Sequence, residues 1–229
     1  MQFSAFDVIG PAMIGPSSSH TAGAARIGLA VRHLLGQSVV DAQINLHGSF
    51  AATGKGHATD RALVAGLLGM GADDERLKGS LEWAKKSHLN YHFSEVDLGE
   101  DAHPNSVSLH ATAADGASLQ LVAQSIGGGM IKVSEVDGFE TSIRGELDTL
   151  VLWNRDEPGY LAKITTLYEC ANLNIATIRL GRTSRGDAAL TTIESDGALP
   201  LEALAMMSRI PATRRLRSLP PHWPAILKS

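Results

Sequence analysis

Thr149-Leu-Val-Leu-Trp-Asn-Arg-Asp-Glu-Pro-Gly-Tyr-Leu-Ala-Lys-Ile-Thr-Thr-Leu-Tyr168 passes from strand to turn to helix within twenty residues. Thr149 to Trp153 is an apolar run of strand length. Asp156-Glu-Pro-Gly159 supplies turn chemistry, because proline presets one φ and glycine permits a positive one. From Tyr160 to about Ala171, Leu161, Ile164, Leu167 and Tyr168 recur on one helical face. Beyond it, Ile175 to Leu180 and Ala188 to Ile193 read as strands around a turn at Arg185-Gly186-Asp187. Leu201 to Met207 is a short helix and Thr213 to Leu216 a last strand. The order βαββαβ predicts two helices on one face of a four-stranded antiparallel sheet.

Upstream, the polar segment from Asp137 to Asp148, with Gly138 and Gly145, reads as a junction over 138–148. The block before it holds eight of the nine histidines. There, Ala22 to Leu35 is a helix with Ile27, Ala30, Val31, Leu34 and Leu35 in period, stopped by Gly36. Val40 to Phe50 reads as a strand, followed by a glycine-rich loop and a helix from Thr59 to Met70, capped by Thr59 or Asp60. Val107 to Leu109 and Leu119 to Ile126 pair around Asp115-Gly116, and Met130 to Val136 is extended. The expected fold class is therefore α+β. The domains are expected at 1–140 and 148–219, with an extended tail at 220–229.

Composition narrows the function. Twenty Lys plus Arg against 24 Asp plus Glu leave a net charge of −4, without the basic excess of a nucleic-acid or anionic-membrane binder. The late arginines, Arg209, Arg214, Arg215 and Arg217, read as a solvated strand edge. One cysteine, Cys170, excludes an internal disulfide and any multi-cysteine metal site, and reads as a small core residue. Without a signal-peptide pattern or an apolar run long enough for a membrane helix, the expected location is the cytoplasm.

Ile14-Gly-Pro-Ser-Ser-Ser-His-Thr-Ala-Gly23 is the first chemical motif. One Ser or Thr would cap a helix; five consecutive polar groups exceed that need. A helix N-terminus with spare hydroxyls suits an anion such as a carboxylate. The dipole contributes about 0.3–1 kcal/mol, while each charge-assisted hydrogen bond contributes about 1.5–3 kcal/mol and so dominates. Ser17, Ser18, Ser19 and Thr21 are the candidate carboxylate cradle, with His20 beside it to move a proton.

Gly48-Ser-Phe-Ala-Ala-Thr-Gly-Lys-Gly-His-Ala-Thr-Asp60 is the second motif. Five residues separate Gly48 from Gly54, and Gly56 follows Lys55, so the spacing is not that of a phosphate-binding P-loop. Lys55 can pair with a carboxylate, and His57 can act as a base near neutral pH. His103-Pro-Asn105 and Ser125-Ile-Gly-Gly-Gly129 are weaker phrases; Asn105 is a further candidate substrate contact. His88 and His92 have helical metal spacing, but the residues between them lead towards a strand. His33 reads as lying on the exposed side of its helix.

Together, Gly-Pro-Ser-Ser-Ser-His-Thr and Gly-Ser-Phe-Ala-x-Thr-Gly-Lys-Gly-His-x-Thr-Asp resemble the signatures of the iron–sulfur L-serine dehydratases, over nearly the whole chain. The βαββαβ block resembles an ACT domain, chiefly at the turn Asn154-x-x-Glu157-Pro158-Gly159. The resemblance implies a first domain like an allosteric substrate-binding domain, followed by an ACT domain. It implies L-serine conversion to pyruvate and ammonia, with His57 or His20 as base. The [4Fe-4S] cluster would sit on a partner α chain, since one cysteine cannot hold it. Asn154 and Gly159 would bind an effector, or the sheet edges would pair two copies of this chain.

Two other classes compete. A regulatory subunit would bind serine or another small carboxylate without chemistry, but has no need of two accessible bases beside an anion site. A divalent-metal hydrolase using His20, His47 and His57 would lack a nearby carboxylate other than Asp60.

Overall fold

The computed structural model describes residues 17–53 and 58–226. Gly10-Pro11, Gly15-Pro16, Lys55 and His57 lie outside the described residues. Two compact units are present: one runs to Gly138 and takes in the chain end from Trp223, and the other is Phe139–His222.

Among the described residues the first unit starts with a π-helical turn, Ser18–Gly23, continuing into α1, Ala24–Leu35. Then come β1 (Val39–Leu46), α2 (Gly48–Thr53), α3 (Thr59–Leu67), α4 (Ser80–Lys86), β2 (Asn90–Glu95), β3 (Ser106–Ala113), β4 (Ser118–Gly127) and β5 (Met130–Val136). The strands run in the order β2-β1-β3-β4-β5. Of these pairings, β1–β2 is parallel and the others are antiparallel. Ile27, Val31 and Leu34 of α1 are fully buried, as are Leu63 of α3, Ile44 of β1 and Leu109 of β3. On β4 the alternation buries Leu119, Leu121 and Ala123, and its next member on that face is the fully buried Ser125.

Three expectations for this unit are corrected. The strand predicted over Val40 to Phe50 ends at Leu46, and the loop after it is the helix α2. The cause is tertiary. Gly48 adopts φ +55°, and an added Cβ there would stand 2.7 Å from the Pro104 carbonyl oxygen. That same oxygen accepts from Ser49 N at 2.7 Å, satisfying an N–H that the helix start would otherwise leave unbonded. Next, α3 is not capped by Thr59 or Asp60: Ala58, in the left-handed region at φ 58°, holds the N-cap position. Finally, the tail is not a loose extension. Trp223 is 1% exposed, Ile226 N donates to Gly69 O at 2.8 Å, and His33 Nε2 lies 2.9 Å from Pro224 O. His33 is accordingly half-buried, and burial lowers its pKa.

The second unit contains β6 (Phe139–Ile143), β7 (Asp148–Arg155), α5 (Tyr160–Cys170), β8 (Ile175–Arg182), β9 (Ala188–Ser195), α6 (Leu201–Ser208) and β10 (Thr213–Leu219). The segment read as a polar junction thus carries a strand, with Thr141 Oγ1 3.4 Å from Thr192 Oγ1. After β6 the order is βαββαβ, in an antiparallel sheet arranged β10-β7-β9-β8. Leu150 and Leu152 of β7 pack with Ile193, Ile164, Tyr168 and Met207 in its core. Burial raises the Tyr168 phenol to about 12. Cys170, expected in a core, is exposed, because it lies at the last turn of α5 away from the Ile164–Tyr168 stripe. Arg209 and Arg214 are exposed, whereas Arg215 is half-buried with its guanidinium 3.5 Å from the centroid of the Trp153 ring. No helix among the described residues is long and apolar enough to cross a membrane.

Candidate active site

The site begins at the turn ahead of α1. Ser17 is extended, at φ −138° and ψ 125°, and its Oγ accepts from His20 N at 3.2 Å. Its carbonyl accepts from Thr21 N at 2.9 Å. The wider π turn, a geometry often found at functional sites, sets Ser17, Ser18, Ser19 and His20 half-buried, while Thr21 is fully buried. The predicted cradle is therefore part of the helix itself rather than a loop before it.

His20 is held from α2. Its Nε2 lies 3.3 Å from Ser49 Oγ and 3.1 Å from Thr53 Oγ1, and its Nδ1 lies 3.4 Å from Ser17 Oγ. The ring meets buried Phe50 edge-on, with centroids 5.3 Å apart. Thr53 Oγ1 also donates to Ser49 O at 2.8 Å. Ser49, Phe50 and Thr53 were missed as site residues in the sequence. The available signal was that Ser49 and Thr53 are four apart, hence neighbours on one face once 48–53 is helical.

Asn105 follows Pro104, the residue on which α2 starts. Its backbone N donates to His103 Nδ1 at 3.1 Å, and its carbonyl accepts from Ser125 N at 3.0 Å. Its Oδ1 is buried with no hydrogen-bond partner among the described residues, as are Ser125 Oγ and Thr59 Oγ1. Ser125 sits beneath the start of α1, where a Cβ added at Gly23 would overlap its Oγ and stand 2.7 Å from its Cβ. Buried polar atoms are nearly always paired in folded proteins, and of these three Ser125 Oγ lies directly against the start of α1.

Other candidates fall elsewhere. A cleft of about 470 Å³ opens on a different face of α2, lined by His47, Gly48, Ala51, Ala52, Glu95, Val96 and Asp97. Among the described residues, none of the predicted substrate-binding residues lines it. His88 ends a turn at φ 55° and His92 is on β2, so they are not a helical pair. Among the described residues no cluster of three or more His, Cys, Asp or Glu could hold a metal ion. Asn154 and Gly159 belong to the other unit. Asn154 Oδ1 accepts from Thr191 Oγ1 at 3.0 Å and its Nδ2 donates to Arg155 O at 3.0 Å. Gly159 holds φ 80° at the N-cap of α5.

Residues 4–136, which span the whole site, match the family model of the serine dehydratase beta chain. The chain belongs to the serine dehydratase beta chain family. Within that family it is 39% identical over 197 residues to the L-serine dehydratase beta chain of Peptoniphilus asaccharolyticus, covering 86% of this chain and 89% of that one. It is 38% identical over 208 residues to the probable L-serine dehydratase beta chain of Bacillus subtilis, covering 91% and 94%. L-serine dehydratase 2 of Escherichia coli matches 56% of this chain at 33% identity, over only 33% of its own length. The beta-chain relatives thus align beyond the family segment into the βαββαβ unit, and the longer relative over little more than half of this chain.

Proposed function

We propose that this chain is the cluster-free subunit of an L-serine ammonia-lyase that makes pyruvate and ammonia together with a cluster-bearing partner. The observation that carries the reading is His20, held by the hydroxyls of Ser17, Ser49 and Thr53 at the helix start. The reaction removes an α-proton and expels a β-hydroxyl. Both are difficult at neutral pH, and the first needs a placed base.

In this reading the substrate carboxylate rests on the turn Ser17 to Thr21 and on Lys55. Asn105 Oδ1, an acceptor, faces the substrate ammonium. His20 or His57 takes the α-proton. A [4Fe-4S] cluster does not fit this chain's residues. Such clusters need about three or four thiolates, whereas the one cysteine is exposed at the end of α5 in the other unit. The cluster is therefore assigned to the partner. The βαββαβ unit is read as an ACT-type module that pairs with a second copy. Two observations favour pairing over effector binding: the Asn154 amide is already bonded within its own unit, and terminal strand β8 exposes Ile178 and Leu180.

The test is anaerobic pyruvate formation from L-serine by this chain alone, by the chain with its partner, and by that pair carrying His57→Ala. Activity in the pair only, lost with His57→Ala while the complex still assembles, supports a shared site. Activity of the partner alone, merely tuned by this chain and indifferent to His57, leaves a regulatory subunit instead.

A further inference from the structure

We infer that Thr53 sets the tautomer of His20, keeping the proton on Nε2 and leaving Nδ1, on the Ser17 side, as the basic nitrogen. The inference rests on the placement of His20 in the site proposed above. A threonine hydroxyl has one proton. Thr53 Oγ1 stands 2.8 Å from the Ser49 carbonyl oxygen, which can only accept. The proton goes there, in the back-bond from residue i to the carbonyl of i−4 that helical threonines make. Towards His20 Nε2, 3.1 Å away, Thr53 then presents lone pairs alone. A second acceptor facing those lone pairs would repel them, so Nε2 carries the hydrogen.

The other end of the ring agrees. Ser17 Oγ accepts from His20 N at 3.2 Å, and its own proton can point at Nδ1, 3.4 Å away. Ser49 Oγ, 3.3 Å from Nε2, can rotate to serve either state of that nitrogen and so does not decide the tautomer. When Nδ1 takes up a proton, the imidazolium still donates through Nε2 to Thr53, so that contact persists in both charge states. A proton therefore reaches and leaves His20 on its Ser17 edge, where the carboxylate cradle lies. Thr53 acts only through His20, as a positioning residue. The geometry depends on α2 being helical, since only a helix brings Thr53 back over Ser49.

Nitrogen-15 shifts of the His20 ring in the full chain read the tautomer directly, above the imidazole titration, with His20→Asn assigning the signal. The expected form is Nε2–H. Thr53→Val, which keeps the shape and removes the hydroxyl, shifts the tautomer ratio towards Nδ1–H by roughly threefold to tenfold, the scale of one hydrogen bond. Thr53→Ser restores it. In the pair with its partner, Thr53→Val lowers kcat by a similar factor and moves the pH profile of kcat/KM, which a merely structural role would leave in place. A dominant Nδ1–H form in the wild-type chain overturns the inference whether or not Thr53→Val folds. So does an unchanged tautomer in a folded Thr53→Val. The tautomer is read without the partner: Nε2–H in a chain whose His20→Asn variant leaves the pair fully active upholds this inference and sinks only the reading of His20 as the base.

Discussion

The turn before α1 and the turn after β7 are both polar segments leading into a helix, and their polar groups are treated in opposite ways. At the β7 turn the Asn154 side chain is buried, and both ends of its amide are bonded, to Thr191 and to the Arg155 carbonyl. In the unit of the α1 turn, Asn105 Oδ1, Thr59 Oγ1 and, directly against that turn, Ser125 Oγ are buried and unpartnered among the described residues. A buried group that is already satisfied holds a fold together. One left unsatisfied costs stability unless a ligand completes it. In the proposed reading, the difference separates a turn that shapes its domain from one that receives the substrate.

Perturbing each region should therefore move different observables. The largest expected loss is Trp223→Ala, which empties a nearly fully buried site in the unit that carries the α1 turn. It should lower urea stability by about 3–5 kcal/mol, and a change near zero would show that the chain end is not part of that unit. Next is the Tyr168 phenol in the core of the other unit. Its folded pKa is raised from 10.0 to about 12, chiefly by burial. A raised folded pKa contributes stability that is complete below the unfolded value and lost as pH rises from about 10 to about 12. The loss should be on the order of 3 kcal/mol, absent in Tyr168→Phe, and visible in denaturation across that range.

Asn154→Ala should cost about 1–3 kcal/mol by stranding the Thr191 hydroxyl, while the assembled pair keeps its kcat. Ser125→Ala should do the reverse. Removing an unpartnered hydroxyl changes stability by less than about 1 kcal/mol, yet activity of the pair falls. If Asn154→Ala instead abolishes activity at full stability, the contrast between the two turns is wrong.

Legibility in the sequence followed locality. The βαββαβ order could be read because each of its elements is set by its own period and turn residues, from Thr149 to Leu216. The helix α2 could not, because it exists through Gly48 folding back onto Pro104, far downstream in the chain. Missing α2 meant missing Ser49 and Thr53, and with them the hold on His20. Trp223 was read as a loose tail for the same reason: its burial comes from packing that no local pattern announces. The cluster Ser17 to Thr21 was visible because its excess of polar groups is itself local, although its π-helical shape was not.

The most direct measurement is anaerobic kcat for pyruvate formation from L-serine by the assembled pair, comparing wild type, His20→Asn and Asn154→Ala, with assembly verified for each. The account predicts a fall of about a hundredfold or more for His20→Asn, the scale of a lost acid–base group, and a change within about twofold for Asn154→Ala. Full activity in an assembled His20→Asn pair would contradict it.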